Sequence, residues 1–266
     1  MIKYFLIGSI GGLLSGILGI GGGVVFVPLL TYLTKTDFKT NTGVSSLAVV
    51  FVATGSSITY IFNDFSSGTN LVFEILIIII GGIIGGYFGS KLTAKLNTQL
   101  LKKLFSILLI ASAYRIIFST TVTATYEDNI ILYFCIGFVS GVGSGLLGIG
   151  GGIIRIPMLI FFGGFEQIIA QGISLLTTIP TALTAAATKI RKENNLLKIG
   201  LIVGIFGVLG SVIGGSLAFS IIPRDTLSIS FGIFLTLVSV NMFISCLLYT
   251  SPSPRDQRGS RMACCA

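Results

Sequence analysis

Apolar residues run along this chain in eight stretches, at about 4–33, 43–62, 71–90, 100–119, 130–162, 168–188, 196–219 and 227–248, with charged and small polar residues gathered between them. Six of the stretches match the ~20 residues that cross a bilayer as a helix. The first and fifth are longer, about 30 residues each, and glycine interrupts both. Residues 16–28 read GILGIGGGVVFVP and residues 145–157 read GLLGIGGGIIRIP, each with five glycines in its first eight positions. A helix interior loses roughly 1 kcal/mol for each Gly in place of Ala, so neither stretch sustains one continuous helix. The pattern predicts two half-helices of ~15 residues on either side of each break, each long enough to reach about the midplane at 1.5 Å per residue. Irregular backbone at that depth survives only where protein or a water-filled cavity satisfies its polar groups.

The two motifs are separated by a constant shift of 129 residues, Gly16 to Gly145, and the same shift pairs Gly8 with Gly137, Gly12 with Gly141, Ser15 with Ser144, Gly43 with Gly172 and Ser45 with Ser174. Chance likeness between two greasy segments does not keep such a register, so the chain is a duplication. We expect one transmembrane domain over 1–245, with repeat one at 1–125 and repeat two at 126–245. Loop charge decides how the long stretches are threaded. If both were full spans, Lys3, Arg115, Lys189, Arg191, Lys192 and Lys198 would oppose Lys35, Lys39, Lys91, Lys95, Lys102, Lys103 and Arg224, which is no bias. If both are re-entrant, only Arg115 and Arg224 lie on the far side, together with Asp64, Glu127, Asp128, Glu166 and Asp225. The positive-inside rule selects the second arrangement. The expected fold is therefore all-α: a polytopic membrane protein of two homologous inverted halves, with eight apolar segments of which two are glycine-broken re-entrant hairpins whose tips meet near the midplane.

Composition narrows the chemistry. With 53% hydrophobic and 10% charged residues and a mean hydropathy of +0.98, the chain is not a soluble domain. The net charge of +8 is carried by Lys and Arg in short connections between apolar runs, which fits membrane orientation and gives no ground for nucleic-acid binding. There is no His, which removes the commonest metal ligand and proton shuttle. The start MIKYFLIGSI has the flavour of a signal peptide, but no A-x-A-like site follows and the glycine motif falls inside it, so it reads as mature structure. Residues 246–266, CLLYTSPSPRDQRGSRMACCA, shift abruptly to Pro, Ser and Arg and resemble translated vector read-through, so they are expected to be a non-native, disordered tail. Three of the four cysteines fall there, leaving Cys135 and neither a disulfide framework nor a metal cluster.

In each broken segment the second half-helix is expected to begin just after GGG, at Val24 and at Ile153, with its amino end at the bilayer centre. Unsatisfied N–H groups and the helix dipole make such ends anion sites, and glycine lets a ligand approach the backbone. Gly21, Gly22, Gly23, Gly150, Gly151 and Gly152 are the candidates, weighed against plain small-residue helix packing, which accounts for Gly81, Gly82, Gly85, Gly86, Gly89, Gly210 and Gly214. Arg155 is the basic residue well inside an apolar segment, three positions past Gly152. A cation in a first helical turn opposes the dipole, which suits an anion held by both and does nothing for the helix. Its alternatives are snorkelling to an interface or pairing with Glu166. Asn41, Thr42, Gly43, Ser45 and Ser46 after the first motif, and Gln171, Gly172, Ser174, Thr177 and Thr178 after the second, offer small polar groups to an oxyanion, with helix capping the simpler role for Thr42 and Gln171. Pro180 is expected to kink its helix. Glu74 is expected to be solvated at an interface.

The doubled GIGGG motifs, followed by TGVSSLA and QGISLLT, resemble the TauE/SafE family of sulfite exporter-like anion permeases over residues 1–245. The resemblance places the family's glycine motifs on residues 19–23 and 148–152, its prolines on Pro28 and Pro157, and its small polar positions on Gly43, Ser45, Gly172 and Ser174; the family's Thr-Ser pair is here Val44-Ser45 and Ile173-Ser174. It implies a permease for sulfur oxyanions or organosulfonates. The expected function is thus a secondary transporter for a small anion, in the plasma membrane, moving by alternating access, with Gly21, Gly22, Gly23, Ser45, Gly150, Gly151, Gly152, Arg155 and Ser174 binding substrate. Its expected partners are that anion, membrane lipid, a coupling ion (proton or sodium) and a second copy of the chain. It calls for no cofactor and no metal and is not expected to be an enzyme. The alternatives are an anion channel with the same site, and a membrane-embedded enzyme or assembly factor, against which the missing His, acidic pairs and cysteine cluster argue.

Overall fold

A computed structural model describes residues 2–34, 38–62, 71–92, 129–190 and 194–220, together with 110, 114, 223, 226, 229–234, 236–237 and 239–240. Among them all regular structure is helical: α1 (Ile2–Leu18), α2 (Gly23–Thr34), α3 (Phe38–Phe62), α4 (Val72–Leu92), α5 (Ile130–Leu147), α6 (Gly152–Phe161), α7 (Gln167–Ile190) and α8 (Asn194–Ser220). Five helices are long and apolar enough to cross a membrane, at 40–62, 72–92, 130–147, 167–189 and 196–218. The expected segments at 100–119 and 227–248, and the tail at 246–266, lie wholly or mostly outside the described residues.

Both long segments break where glycine predicts. Gly19 and Gly148 end α1 and α5 in the left-handed region, at φ 67° and 68°, and each returns its N–H to the carbonyl four residues back, Ser15 and Ser144, at 2.8 Å. Gly21 and Gly22 (φ 78° and 76°) and Gly150 and Gly151 (φ 82° and 74°) complete two turns of the same shape. Side chains rarely tolerate these dihedrals, which is why the motif needs glycine. The carbonyls of Gly22 and Gly151 then accept the first helical N–H groups of α2 and α6, from Val25 and Phe26 and from Ile154 and Arg155. The half-helices start at Gly23 and Gly152, one residue before the expected positions.

The helices pack through backbone contacts that only glycine permits. Gly8, Gly12 and Gly16 of α1 meet 203–207, Gly207 and 211–215 of α8 in ascending order, so the two helices run in the same direction. Gly137, Gly141 and Gly145 of α5 meet Ile78, Gly82 and residues 86–90 of α4 in the same way. A Cβ on any of these glycines would overlap backbone atoms of the facing helix. The first helix of one motif copy therefore packs on a helix that follows the other copy. The α4 and α8 partners correspond at a shift of 125, as in Gly82 with Gly207, Gly85 with Gly210 and Gly89 with Gly214, so the stretch joining α3 to α4 is four residues longer than its counterpart. Away from the glycine stripe, α4 and α8 expose Leu76, Ile80, Ile84, Leu201, Ile205 and Leu209, a surface suited to acyl chains.

α3 runs along α8 in parallel, with Gly200 against Leu47, Gly204 against Phe51 and Gly215 against Thr59. It runs against α7 in the opposite sense, with Gly43 facing Lys189 at one end and Tyr60 donating to Gln171 Oε1 at the other, 3.0 Å. Thr42 and Gln171 are not helix caps, because α3 and α7 begin four residues before them, at Phe38 and Gln167. Gln171 instead reaches across to the end of α1, where its Nε2 donates to Leu18 O at 3.1 Å. Pro180 lies inside α7, which continues through it as helix.

Candidate functional site

The two glycine turns touch each other, and the contacts are reciprocal. A Cβ on Gly23 would stand 2.5 Å from the Ile149 backbone, and one on Gly152 would stand 2.7 Å from Ile20 O, with Ile20 and Ile149 themselves equivalent at the 129 shift. Gly19 abuts Gln171 while Gly148 abuts Thr42, again equivalent positions with partners exchanged. Gly21 and Gly150 both lie against Val49 and Thr178. Ser45 ties the junction together by donating to Gly148 O at 2.8 Å, with Gly23 O 3.4 Å from the same oxygen.

Arg155 sits beside this junction, one turn into α6, and is the one charged side chain among the fully buried described residues. It does not snorkel: none of its surface is exposed. Its Nε donates to Ser140 Oγ at 3.1 Å, and one terminal nitrogen, Nη1, donates to Thr177 Oγ1 at 2.7 Å, Thr178 Oγ1 at 3.1 Å and Ser174 O at 3.2 Å. The other terminal nitrogen, Nη2, is buried and has no partner among the described residues. It lies between two glycines, 3.4 Å from the point that a Gly151 Cβ would occupy and 3.5 Å from that of Gly82. Ser144 Cβ is 3.3 Å from the same Gly151 point, and the hydroxyls of Ser144 and Ser174 also lack partners among the described residues. A guanidinium stripped of water is costly unless its N–H groups are matched, so the unmatched pair on Nη2 leaves room in this arrangement for one more hydrogen-bond acceptor.

Of the residues singled out in the sequence, Gly21, Gly23, Ser45, Gly150, Gly151, Gly152, Arg155 and Ser174 gather at or next to the junction, while Gly22 packs on Phe26 instead. Thr177 and Thr178 prove to be direct partners of the guanidinium. Ser140 and Thr181 escaped sequence reasoning, and Gly82 was assigned to packing alone, although it also borders Nη2 and the methyl of Thr181. A residue-by-residue comparison at the 129 shift carries the missing signal, because Ser140 stands where repeat one has Gly11 and Thr181 where it has Val52. Glu74 lies in the first turn of α4, with one carboxylate oxygen buried and without a partner among the described residues. No cluster of metal-ligating side chains occurs among the described residues.

The sequence profile of the family described as sulfite exporter TauE/SafE matches residues 1–116 and 133–265, running through the stretch set aside as a tail. A probable membrane transporter protein of Methanocaldococcus jannaschii is 35% identical over 162 residues, 58% of this chain and 59% of that protein. The probable membrane transporter proteins YunE and YdhB of Bacillus subtilis are 30% and 36% identical over 44% and 36% of this chain and 45% and 39% of their own lengths. The matched part thus spans less than two thirds of each of these relatives. No solved structure matches the chain. With the apolar helices, the glycine turns and a profile match over nearly the whole length, this integral membrane protein belongs to the sulfite exporter TauE/SafE family of membrane transporters.

Proposed function

We propose that the protein is a secondary transporter for a small anion, a sulfur oxyanion or organosulfonate, bound where the two glycine turns meet and released by relative movement of the two repeats, 1–125 and 126–245. The observation that carries this reading is Arg155 Nη2, buried without a partner among the described residues beside the left-handed Gly151. Gly150, Gly151 and Gly152 open the backbone to the anion, Ser174 supplies a hydroxyl, and Gly21, Gly23 and Ser45 form the opposing wall, with Gly22 holding the first turn in shape. The sulfur chemistry is supported by the family's description.

The inverted, re-entrant architecture is part of the same proposal. It is supported by α1 and α3 both running parallel to α8, which requires the chain between them to leave and return on one side. It is supported as well by the antiparallel course of α3 and α7, which are equivalent in sequence. Because Arg155 is wholly enclosed, a ligand reaches it only when packed elements part, as alternating access demands. The test is thermal stabilisation of the purified protein by sulfite, sulfate, thiosulfate, methanesulfonate and acetate. At least one sulfur anion is expected to raise Tm in the parent and to lose that effect in a folded Arg155→Gln variant. Equal stabilisation of both proteins would assign the arginine a structural role.

A further inference from the structure

The compartment that holds Arg155 exists twice, in two chemistries. At the 129 shift Arg155 replaces Phe26, Ser140 replaces Gly11, Thr177 replaces Ala48, Thr178 replaces Val49 and Thr181 replaces Val52. Phe26 is also wholly buried, and its ring lies against Gly11, Gly22 and the neighbourhood of Gly207, as the guanidinium lies against Ser140, Gly151 and Gly82. In repeat one Ala48, Val49 and Val52 pack with Phe26 in a single apolar cluster. Five coordinated exchanges turn one member of a symmetric pair polar and leave the other dry.

The hydroxyls of the polar member are already committed. Ser140 Oγ donates to Gly137 O at 3.0 Å, Thr177 Oγ1 to Ile173 O at 2.7 Å, Thr178 Oγ1 to Gly150 O at 2.9 Å and Thr181 Oγ1 to Thr177 O at 3.0 Å. A hydroxyl has one proton, so Ser140, Thr177 and Thr178 meet Arg155 with their lone pairs and have no proton left for an anion. They clamp the cation. What remains for a ligand among the described residues is the pair of N–H groups on Nη2, the free hydroxyls of Ser144 and Ser174, and the amides of Gly152 and Ile153, which precede the first bonded N–H groups of α6. Among the described residues Arg155 is the one full positive charge buried at this site. Lys189 is the other described cation with a buried, unpartnered nitrogen, and it lies fifteen residues beyond Ser174, roughly 22 Å along α7.

Resting on the anion-transporter reading, we infer that each chain holds one singly charged oxyanion, of the R–SO3⁻ kind, on the repeat-two side, and that dianions are rejected on charge. A monoanion against one guanidinium leaves the enclosed site neutral. A dianion leaves a net negative charge out of water, and the hydroxyls of Ser144 and Ser174, which can donate to it, carry no charge to cancel the excess.

Calorimetric titration of the full chain in detergent with methanesulfonate and with sulfate tests this. One methanesulfonate per chain is expected, with sulfate at least about tenfold weaker. Arg155→Lys, which keeps the charge and loses the fork, is expected to bind both more weakly with the same order, and Ser144→Ala, which leaves the clamp intact, to weaken methanesulfonate several-fold. Sulfate binding as tightly as methanesulfonate, yet abolished by Arg155→Gln, would overturn the charge rule and leave the anion site standing. Two methanesulfonates per chain would overturn the one-sided assignment. Binding of neither probe to the folded parent would overturn both this inference and the reading beneath it.

Discussion

At the scale of single residues, the account rests on how Arg155 is surrounded. Three side-chain oxygens and one carbonyl hold its Nε and Nη1, and no carboxylate among the described residues joins them, so within that set the charge is unneutralised. Replacing Arg155 with Gln removes a charge-assisted hydrogen bond of roughly 1.5–3 kcal/mol, and anion binding is expected to weaken by about 10- to 150-fold in a titration. Thr178→Val has the shape of its counterpart Val49 but removes both the acceptor for Nη1 and the donor to Gly150 O. It is expected to destabilise the protein by about 1–3 kcal/mol, read as a lower Tm without ligand, because a buried charge loses a partner and a carbonyl is left bare. An unchanged Tm would show that the clamp is not needed. Arg155 was legible in the sequence because a cation deep in an apolar run is costly and stands out, although snorkelling or pairing with Glu166 would also have explained it. Ser140 was not, because a serine in a glycine-rich helix looks like any small packing residue until Gly11 is set beside it.

At the scale of helices, glycine serves two separate purposes that the sequence mixes together. In the turns it supplies left-handed backbone; along α1, α4, α5 and α8 it allows backbone to touch backbone. Gly141 faces the Gly82 carbonyl so closely that Gly141→Val must push α4 and α5 apart, whereas a Cβ on Gly43 meets only Leu196 Cδ1 and Lys189 Cβ at 3.7 Å. Gly43→Ala is therefore expected to leave stability within about 1 kcal/mol of the parent, and Gly141→Val to cost several times that or prevent folding. Similar behaviour of the two variants in a thermal scan would contradict the packing described. Hydrophobic run length and the doubled motif were enough to find the described helices and the two glycine breaks. They did not reveal that α1 pairs with α8 and α5 with α4, because partner choice depends on surfaces distant in sequence and the second glycine stripe is displaced by four residues from the 129 register. Thr42 and Gln171 misled for a related reason: polar residues near an expected helix start resemble caps, and the roles separate only once α3 and α7 are seen to begin four residues earlier and Gln171 to reach Leu18 O.

At the scale of the whole molecule, the proposal is that two repeats of opposite orientation carry an anion between them. Cysteines introduced singly at Lys35 and Lys192 are expected to react with an impermeant reagent from the same face of the membrane, and one at Glu166 from the other. Labelling of the Lys35 and Lys192 positions from opposite faces would mean that the glycine-broken segments cross completely. Loop charge alone predicts this topology, and the parallel course of α1 and α3 along α8 supports it independently, since one argument uses only charged residues and the other only glycines. The most direct test of the central claim is counterflow in proteoliposomes containing the full chain. Unlabelled methanesulfonate inside should drive uptake of labelled methanesulfonate, saturably, through the parent protein, and folded Arg155→Gln should show at least about a tenfold loss at subsaturating anion. Uptake that neither saturates nor responds to anion on the far side would describe a channel, and counterflow undiminished in the Arg155→Gln protein would contradict the account.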